Sequence, residues 1–128
     1  MAMRCLIVDD NPRFAQIARE VLQEDGIYVL AVAAGGHEAV RLARELRPDL
    51  ALVDIDLGGE SGLDVAYRLR AEEPEALADA VILISTHAHE EFAELIAASP
   101  AAGFIAKADL SADAIDALLS HPARGRAK

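Results

Sequence analysis

The sequence predicts a doubly wound α/β domain, in which five strand-and-helix units alternate around a parallel sheet. Three observations predict it: five short runs that are apolar at consecutive positions, amphipathic segments of helical periodicity between them, and a length that suits a single core. The 128 residues are 53% hydrophobic and 27% charged, enough apolar material for one domain and too little chain for a second. A strand covered by helices on both faces is apolar throughout, because neither face meets water. Right-handed crossovers then place helices on both sides of the sheet and make three layers.

The elements follow in order along the chain. Arg4–Val8 forms the first strand and runs into Asp9-Asp10. Asn11 is placed to cap the helix that follows, with Pro12 at its first position, where a missing N–H costs nothing. Phe14, Ile17, Ala18, Val21 and Leu22 then recur at three- and four-residue spacings through Glu24, until Gly26 stops the helix. Residues 27–33 make the second strand, and Gly36–Leu46 the second helix, closed by Pro48 because the residue before a proline resists helical backbone angles. Residues 50–53 and 81–84 make the third and fourth strands, with helices over 63–71 and 90–98 that end before Pro74 and Pro100. Gly103–Ala106 is the fifth strand; after it, the Ser111 hydroxyl caps a last helix whose dipole Asp113 complements. The domain is expected over residues 1–120, and 121–128, with Arg124, Arg126 and Lys128, reads as an unstructured basic tail.

Charge and composition exclude several classes of function. Twelve basic against twenty-two acidic residues leave a formal charge of -10, which repels phosphate backbones and anionic lipid heads. The five aromatic side chains, with no tryptophan, are too few for a base-stacking platform, so no direct nucleic-acid partner is expected. No apolar run approaches the roughly 18 residues of a membrane span, and the N-terminal run is too short for a secretory signal and leads into aspartates. A cytoplasmic, membrane-free location is expected. The single cysteine, Cys5, has no disulfide partner in the chain; it sits in an apolar strand and reads as core in a reducing compartment.

Ligands of a doubly wound fold bind beyond the carboxyl ends of its strands. There the sequence places Asp9 and Asp10, Asp54, the pair Ser85-Thr86, and Lys107. Three carboxylates brought together repel and raise one another's proton affinity unless a cation neutralises them, so the cluster implies a metal. Oxygen ligands without a full protein cage suit Mg2+ or Mn2+, and Mg2+ sites of this kind commonly complete their shell with water and phosphate. Lys107 adds to this: the chain has ten arginines and two lysines, the other being C-terminal, so a compact point charge stands where a planar fork would be the commoner choice. Asp54, between metal and ammonium, would attack phosphorus and become an aspartyl phosphate, with Ser85 hydrogen-bonded to the new group.

Ile7-Val8-Asp9-Asp10, Leu52-Val53-Asp54 followed by Ser61-Gly62-Leu63, Ile84-Ser85, and Gly103-Phe104-Ile105-Ala106-Lys107 together resemble the receiver domain of two-component response regulators, over about residues 3–120. The resemblance is to the single-domain, chemotaxis-regulator type. It implies a flavodoxin-like fold with strand order 2-1-3-4-5. It further implies Mg2+ held by Asp9, Asp10, Asp54 and the backbone carbonyl of Asp56, and phosphorylation of Asp54 by a sensor histidine kinase or a histidine phosphotransfer protein. Ser85 and Lys107 would contact the phosphoryl group, and Phe104 would be the switch aromatic. Asp56 and His87 stand where the family tunes phosphoryl lifetime. The output face would be the fourth helix, fifth strand and fifth helix, and a stand-alone receiver of this kind passes its signal to a downstream protein by contact. It is a regulatory domain that catalyses only its own phosphorylation and dephosphorylation.

Two positions depart from the family's commonest pattern. Ala108 follows Lys107 where many receivers have a cis proline, and an alanine there is expected to be trans. Gly58-Gly59 replaces a proline after the acceptor, which predicts a looser loop. Simpler readings also exist: Asn11 reads as a helix cap, Ser85 and Thr86 are equivalent on the residues alone, and His37, His89 and His121 lack partners at metal spacing. Two other functions compete. Val53-Asp54-Ile55-Asp56 resembles the start of haloacid-dehalogenase-type phosphatases, although their acidic pair lies downstream of the nucleophile. A receiver-like module that binds protein without phosphate is the other.

Overall fold

In the computed structural model, which describes residues 3–72, 80–86, 93–99 and 101–120, strands and helices alternate as the apolar pattern predicts. The order is β1 (Arg4–Val8), α1 (Pro12–Glu24), β2 (Tyr28–Ala33), α2 (Gly36–Leu46), β3 (Leu50–Asp54), β4 (Asp56–Leu57), β5 (Glu60–Ser61), α3 (Gly62–Glu72), β6 (Val81–Ser85), α4 (Ala93–Ala98), β7 (Gly103–Ala106) and α5 (Ala112–Ser120). Strands β2-β1-β3-β6-β7 form one sheet in that order, with every neighbouring pair parallel. This is the 2-1-3-4-5 arrangement of a flavodoxin-like fold, and its order reverses between β1 and β3.

Alternation along each strand divides the interior into two cores. Cys5, Ile7, Leu50, Leu52, Ile82, Ile84 and Ile105 share one core with Ala18 and Leu22 of α1 and Ile115 of α5. Leu6, Val8, Ala51, Val53, Val81 and Leu83 share the other with Ala39, Val40 and Ala43 of α2, Val65, Ala66 and Leu69 of α3, and Ile96 of α4. All the residues of β3 and β6 are buried, which is why their sequences read as unbroken apolar runs. Burial pushes the Cys5 thiol up to about 12, so it stays protonated as a small core side chain.

The N-terminal ends of α1 and α5 are satisfied locally. Asn11 Oδ1 accepts from Arg13 N at 3.0 Å and from Phe14 N at 3.2 Å, while Pro12 occupies the first helical position as its ring allows. The Ser111 hydroxyl accepts from Ala114 N at 3.0 Å, as its place in the sequence predicts. The C-terminal end of α2 is closed by a residue distant in sequence. Arg47 turns left-handed at φ 50°, and the Arg4 guanidinium donates to the carbonyls of Arg47 and Leu46 at 2.9 and 2.6 Å.

Four details depart from the expected boundaries. β2 begins at Tyr28, with Ile27 buried just ahead of it; β3 and β6 extend to include Asp54 and Ser85, so both site residues are still paired in the sheet; and α3 begins at Gly62. The loosened loop expected at Gly58-Gly59 is instead the two-residue turn of a short antiparallel hairpin, β4–β5, with Asp56 opposite Ser61 and Leu57 opposite Glu60. Gly58 adopts φ +70°, the positive value that the first turn position of such a hairpin requires, so here glycine specifies a turn. The Lys107–Ala108 peptide is trans, and Lys107–Asp109 forms a 3-10 turn leading toward α5. The beginning of the expected fourth helix, 90–92, and the tail, 121–128, lie outside the described residues.

Candidate functional site

Asp9 follows the last residue of β1 and remains attached to the sheet edge, its N–H donating to Ala33 O of β2 at 2.9 Å. Its carboxylate is buried, and Oδ1 accepts from Asn11 N at 2.8 Å, so the capping residue of α1 also orients the acid before it. Asp54 ends β3, likewise buried, and its Oδ1 accepts from Asp56 N at 3.0 Å. Asp10 is exposed. Each of the three offers an oxygen within 4.8 Å of the other two. Residues distant in sequence meet because parallel strands all end on one edge, and the β1/β3 crevice is where the crossovers on either side diverge.

Lys107 arrives from the end of β7 and spans two of these acids. Its Nζ donates to Asp54 Oδ2 at 2.9 Å and lies 2.7 Å from Asp9 Oδ2, a contact at ion-pair distance but without hydrogen-bond angles. The buried Asp9 Oδ2 therefore has an ionic neighbour and no hydrogen bond. Burial raises the proton affinity of Asp54; the hydrogen bonds from Lys107 and the Asp56 amide offset this in part, the neighbouring Asp9 charge adds to it, and the net shift is upward. For Lys107, burial pulls toward the neutral amine, but Asp54 and Asp9 outweigh it and hold the ammonium above its ordinary range.

Three carboxylates against one ammonium leave the cluster two negative charges in excess, with an all-oxygen donor set and one buried oxygen lacking a hydrogen bond. That chemistry fits a hard divalent cation. Asp56 is exposed at the start of β4, next to the crevice because its backbone N–H donates to Asp54 Oδ1. Ser85 is buried as the last residue of β6, opposite Ala106 in the register. Phe104 lies opposite Leu83 and is half-buried against the core shared with α2 and α3. Residues 83 and 85, two apart on β6, face the same side of the sheet, so Ser85 and Phe104 share it. Thr86 is exposed one residue beyond the strand, and His87 lies outside the described residues.

Three residues of the site's frame carry a role there that the sequence does not signal. Gly62 is one: a Cβ there would collide with the Asp54 carbonyl oxygen, and Gly62 N donates to Ile55 O at 2.7 Å. The Ser61-Gly62-Leu63 motif is thus a close-packing requirement on the acceptor's own backbone. Glu60 is another, its Oε1 accepting from Gly36 N at 2.8 Å and bracing the β4–β5 hairpin against the start of α2. The third is Phe14, whose ring centroid is 4.4 Å from Lys107 Nζ. Spacing alone marks it only as one more apolar helix position. Beside the acids an open cavity of about 470 Å³, bordered by Asn11, Phe14, Ile17, Thr86, Lys107 and Ala108, separates α1 from the turn after β7.

A family model for the response regulator receiver domain matches residues 5–119. The chain belongs to this family. Among curated proteins it is 41% identical over 119 residues to the positive alginate biosynthesis regulatory protein of Pseudomonas aeruginosa, which covers 91% of this chain and 46% of that one. The chain spans less than half the length of the curated relatives it first matches, between 31% and 49%. Among solved structures it resembles the signal receiver domain of the response regulator NarL of Mycobacterium tuberculosis, with TM-score 0.78, 29% identity and 98% of both chains covered. It also resembles a response regulator protein from Burkholderia pseudomallei solved with a phosphorylated aspartic acid, calcium ion and citrate, at TM-score 0.80 and 25% identity, covering 98% of this chain and 71% of that one. This receiver is a phosphorylation-dependent signalling switch of the two-component type, a regulatory domain, and neither the phosphatase nor the phosphate-independent module is favoured. None of its described helices is long and apolar enough to cross a membrane.

Proposed function

We propose that Asp54 accepts a phosphoryl group from a sensor histidine kinase or a histidine phosphotransfer protein in a Mg2+-dependent reaction. The observation that carries this reading is Lys107 Nζ lying 2.9 Å from Asp54 Oδ2 and 2.7 Å from Asp9 Oδ2, with Asp10 completing the acidic cluster. Asp9, Asp10, Asp54 and the carbonyl of Asp56 would hold the metal, Mg2+ or Mn2+, which when bound neutralises charge on the transferring phosphoryl oxygens. An oxygen of Asp54 forms a bond to phosphorus as the phosphorus–nitrogen bond of the phosphohistidine breaks, and the bonding pair leaves with the imidazole. Lys107, already ionised and directed at the acceptor, moves from bridging two carboxylates to pairing with the phosphoryl. The hydroxyl of Ser85, at the adjacent strand end, donates to the same group, and Phe104 follows it on that face of the sheet.

Phosphorylation then shifts an equilibrium between two conformations of the face formed by α4, β7 and α5. It does so only by its differential affinity for them, typically about 1 to 3 kcal/mol. The signal passes to a downstream protein by contact, in the cytoplasm, from a domain spanning residues 1–120, with 121–128 as a basic tail. Asp56 and His87 tune the lifetime of the phosphoryl group, and the domain catalyses its own phosphorylation and dephosphorylation. The strongly acidic chain argues against direct nucleic-acid binding.

Intact-mass analysis after incubation with acetyl phosphate and Mg2+ tests the assignment. Wild type and Asp56→Asn are expected to gain a hydroxylamine-labile phosphoryl adduct, Asp54→Asn to gain none, and chelation to abolish labelling. Loss of the adduct in Asp56→Asn alone would relocate the nucleophile. Sustained turnover of a small phosphoester would revive the phosphatase.

A further inference from the structure

We propose that Phe14 is the positioning residue for Lys107, its ring face carrying the ammonium group and holding it across Asp9 and Asp54. The centroid lies 4.4 Å from Nζ, well inside the range at which a ring quadrupole attracts a cation. That ammonium also contacts both carboxylates, and its side chain is only 8% exposed, so little water competes with the ring. A lysine ammonium rides on four rotatable bonds and has no intrinsic geometry, so whatever surrounds it decides where it rests. Phe14 can decide it because the ring is carried on a fixed backbone. It is the third residue of α1, and its N–H donates to the cap at Asn11 Oδ1. Asn11 N in turn donates to Asp9 Oδ1, so one short segment sets the acid, the cap and the ring together.

A leucine at this position would fill similar space in the same core but present no negative face. The ring also borders the open cavity, so a substitution there is not forced against tightly packed neighbours. For its kinetic consequence the inference rests on Asp54 being the acceptor; for its geometry it does not.

The experiment uses the full chain as wild type, Phe14→Leu and Phe14→Tyr. The chain has two lysines, Lys107 and Lys128, so the proton resonances of the Lys107 side-chain terminus can be followed individually by NMR. In wild type and Phe14→Tyr they are expected upfield of those of Lys128, displaced by the ring current; in Phe14→Leu the displacement disappears. Labelling by acetyl phosphate with Mg2+ should slow about threefold to tenfold in Phe14→Leu and stay within about twofold of wild type in Phe14→Tyr. A folded Phe14→Leu protein that labels at the wild-type rate, or that keeps the displaced Lys107 signals, overturns the proposal. So does a Phe14→Tyr protein as slow as Phe14→Leu, which would make the ring mere packing. If wild type takes no label at all, the acceptor assignment is what fails, and the NMR displacement alone decides the contact.

Discussion

The middles of β1, β3 and β6 and their carboxyl ends belong to the same strands and obey opposite rules. In the middles, Leu6, Ile7, Leu52, Ile82 and Leu83 are fully buried and apolar. At or just beyond the ends lie Asp9, Asp54 and Ser85, the buried polar side chains found among the described residues, joined by Lys107. Burial stabilises in the first region and costs free energy in the second, because each buried carboxylate loses its hydration and regains only part of it from one backbone N–H and a shared ammonium. The domain keeps the unfavourable end because the favourable middle holds it rigid. Stability and chemistry are thus separated by a few residues along each strand.

The strongest way to break this separation is from the apolar side. Leu52→Ala removes a fully buried side chain from the core shared with α1 and α5 and should lower unfolding free energy by about 2 to 5 kcal/mol, measured by urea denaturation. If the two regions are distinct, the protein that remains folded still labels on Asp54. Gly62→Ala probes the boundary between them. Its methyl group collides with the Asp54 backbone, so overpacking of about 1 to 3 kcal/mol is expected together with slower labelling. A fully stable, normally labelled alanine variant would show that the close approach is dispensable.

The smallest effect has the opposite sign. Burial raises the proton affinity of Asp54 in the folded protein, so the fold binds this proton more tightly than the unfolded chain does. The contribution of Asp54 to stability is then greatest below its ordinary value of 3.8 and declines as pH rises through the elevated folded value. In chelator, Asp54→Asn should lack this decline and be at least as stable as wild type at pH 7, read as the difference between two melting curves across pH. Wild type losing stability relative to the variant as pH falls toward 4 would reverse the sign and with it the account of the site as a place of cost.

The strand ends are legible in the sequence because a polar residue interrupting a dry apolar run has few places to go in a parallel sheet. Asp9, Asp54, Ser85 and Lys107 each stand at such an interruption. Gly58-Gly59 is legible as a turn but not as a hairpin, since Asp56-Leu57 and Glu60-Ser61 are too short to show a strand period. Glu60 reads as a surface charge until α2 is seen to begin 2.8 Å away at the Gly36 amide. Arg4 likewise gives no sign that it closes α2 across 42 and 43 residues of chain.

Local chemistry therefore determined the parallel α/β architecture, the caps at Asn11 and Ser111, and the set of residues that leave the sheet at one edge. These depend on periodicity and on neighbours within one turn, which a linear string records. Only the tertiary structure decided that Lys107 touches both Asp9 and Asp54, that Phe14 lies beneath its charge, and that Gly62 must be bare against the acceptor's carbonyl. Such contacts arise from where separate strands and helices come to rest, to within an ångström, and no spacing along the chain encodes that distance.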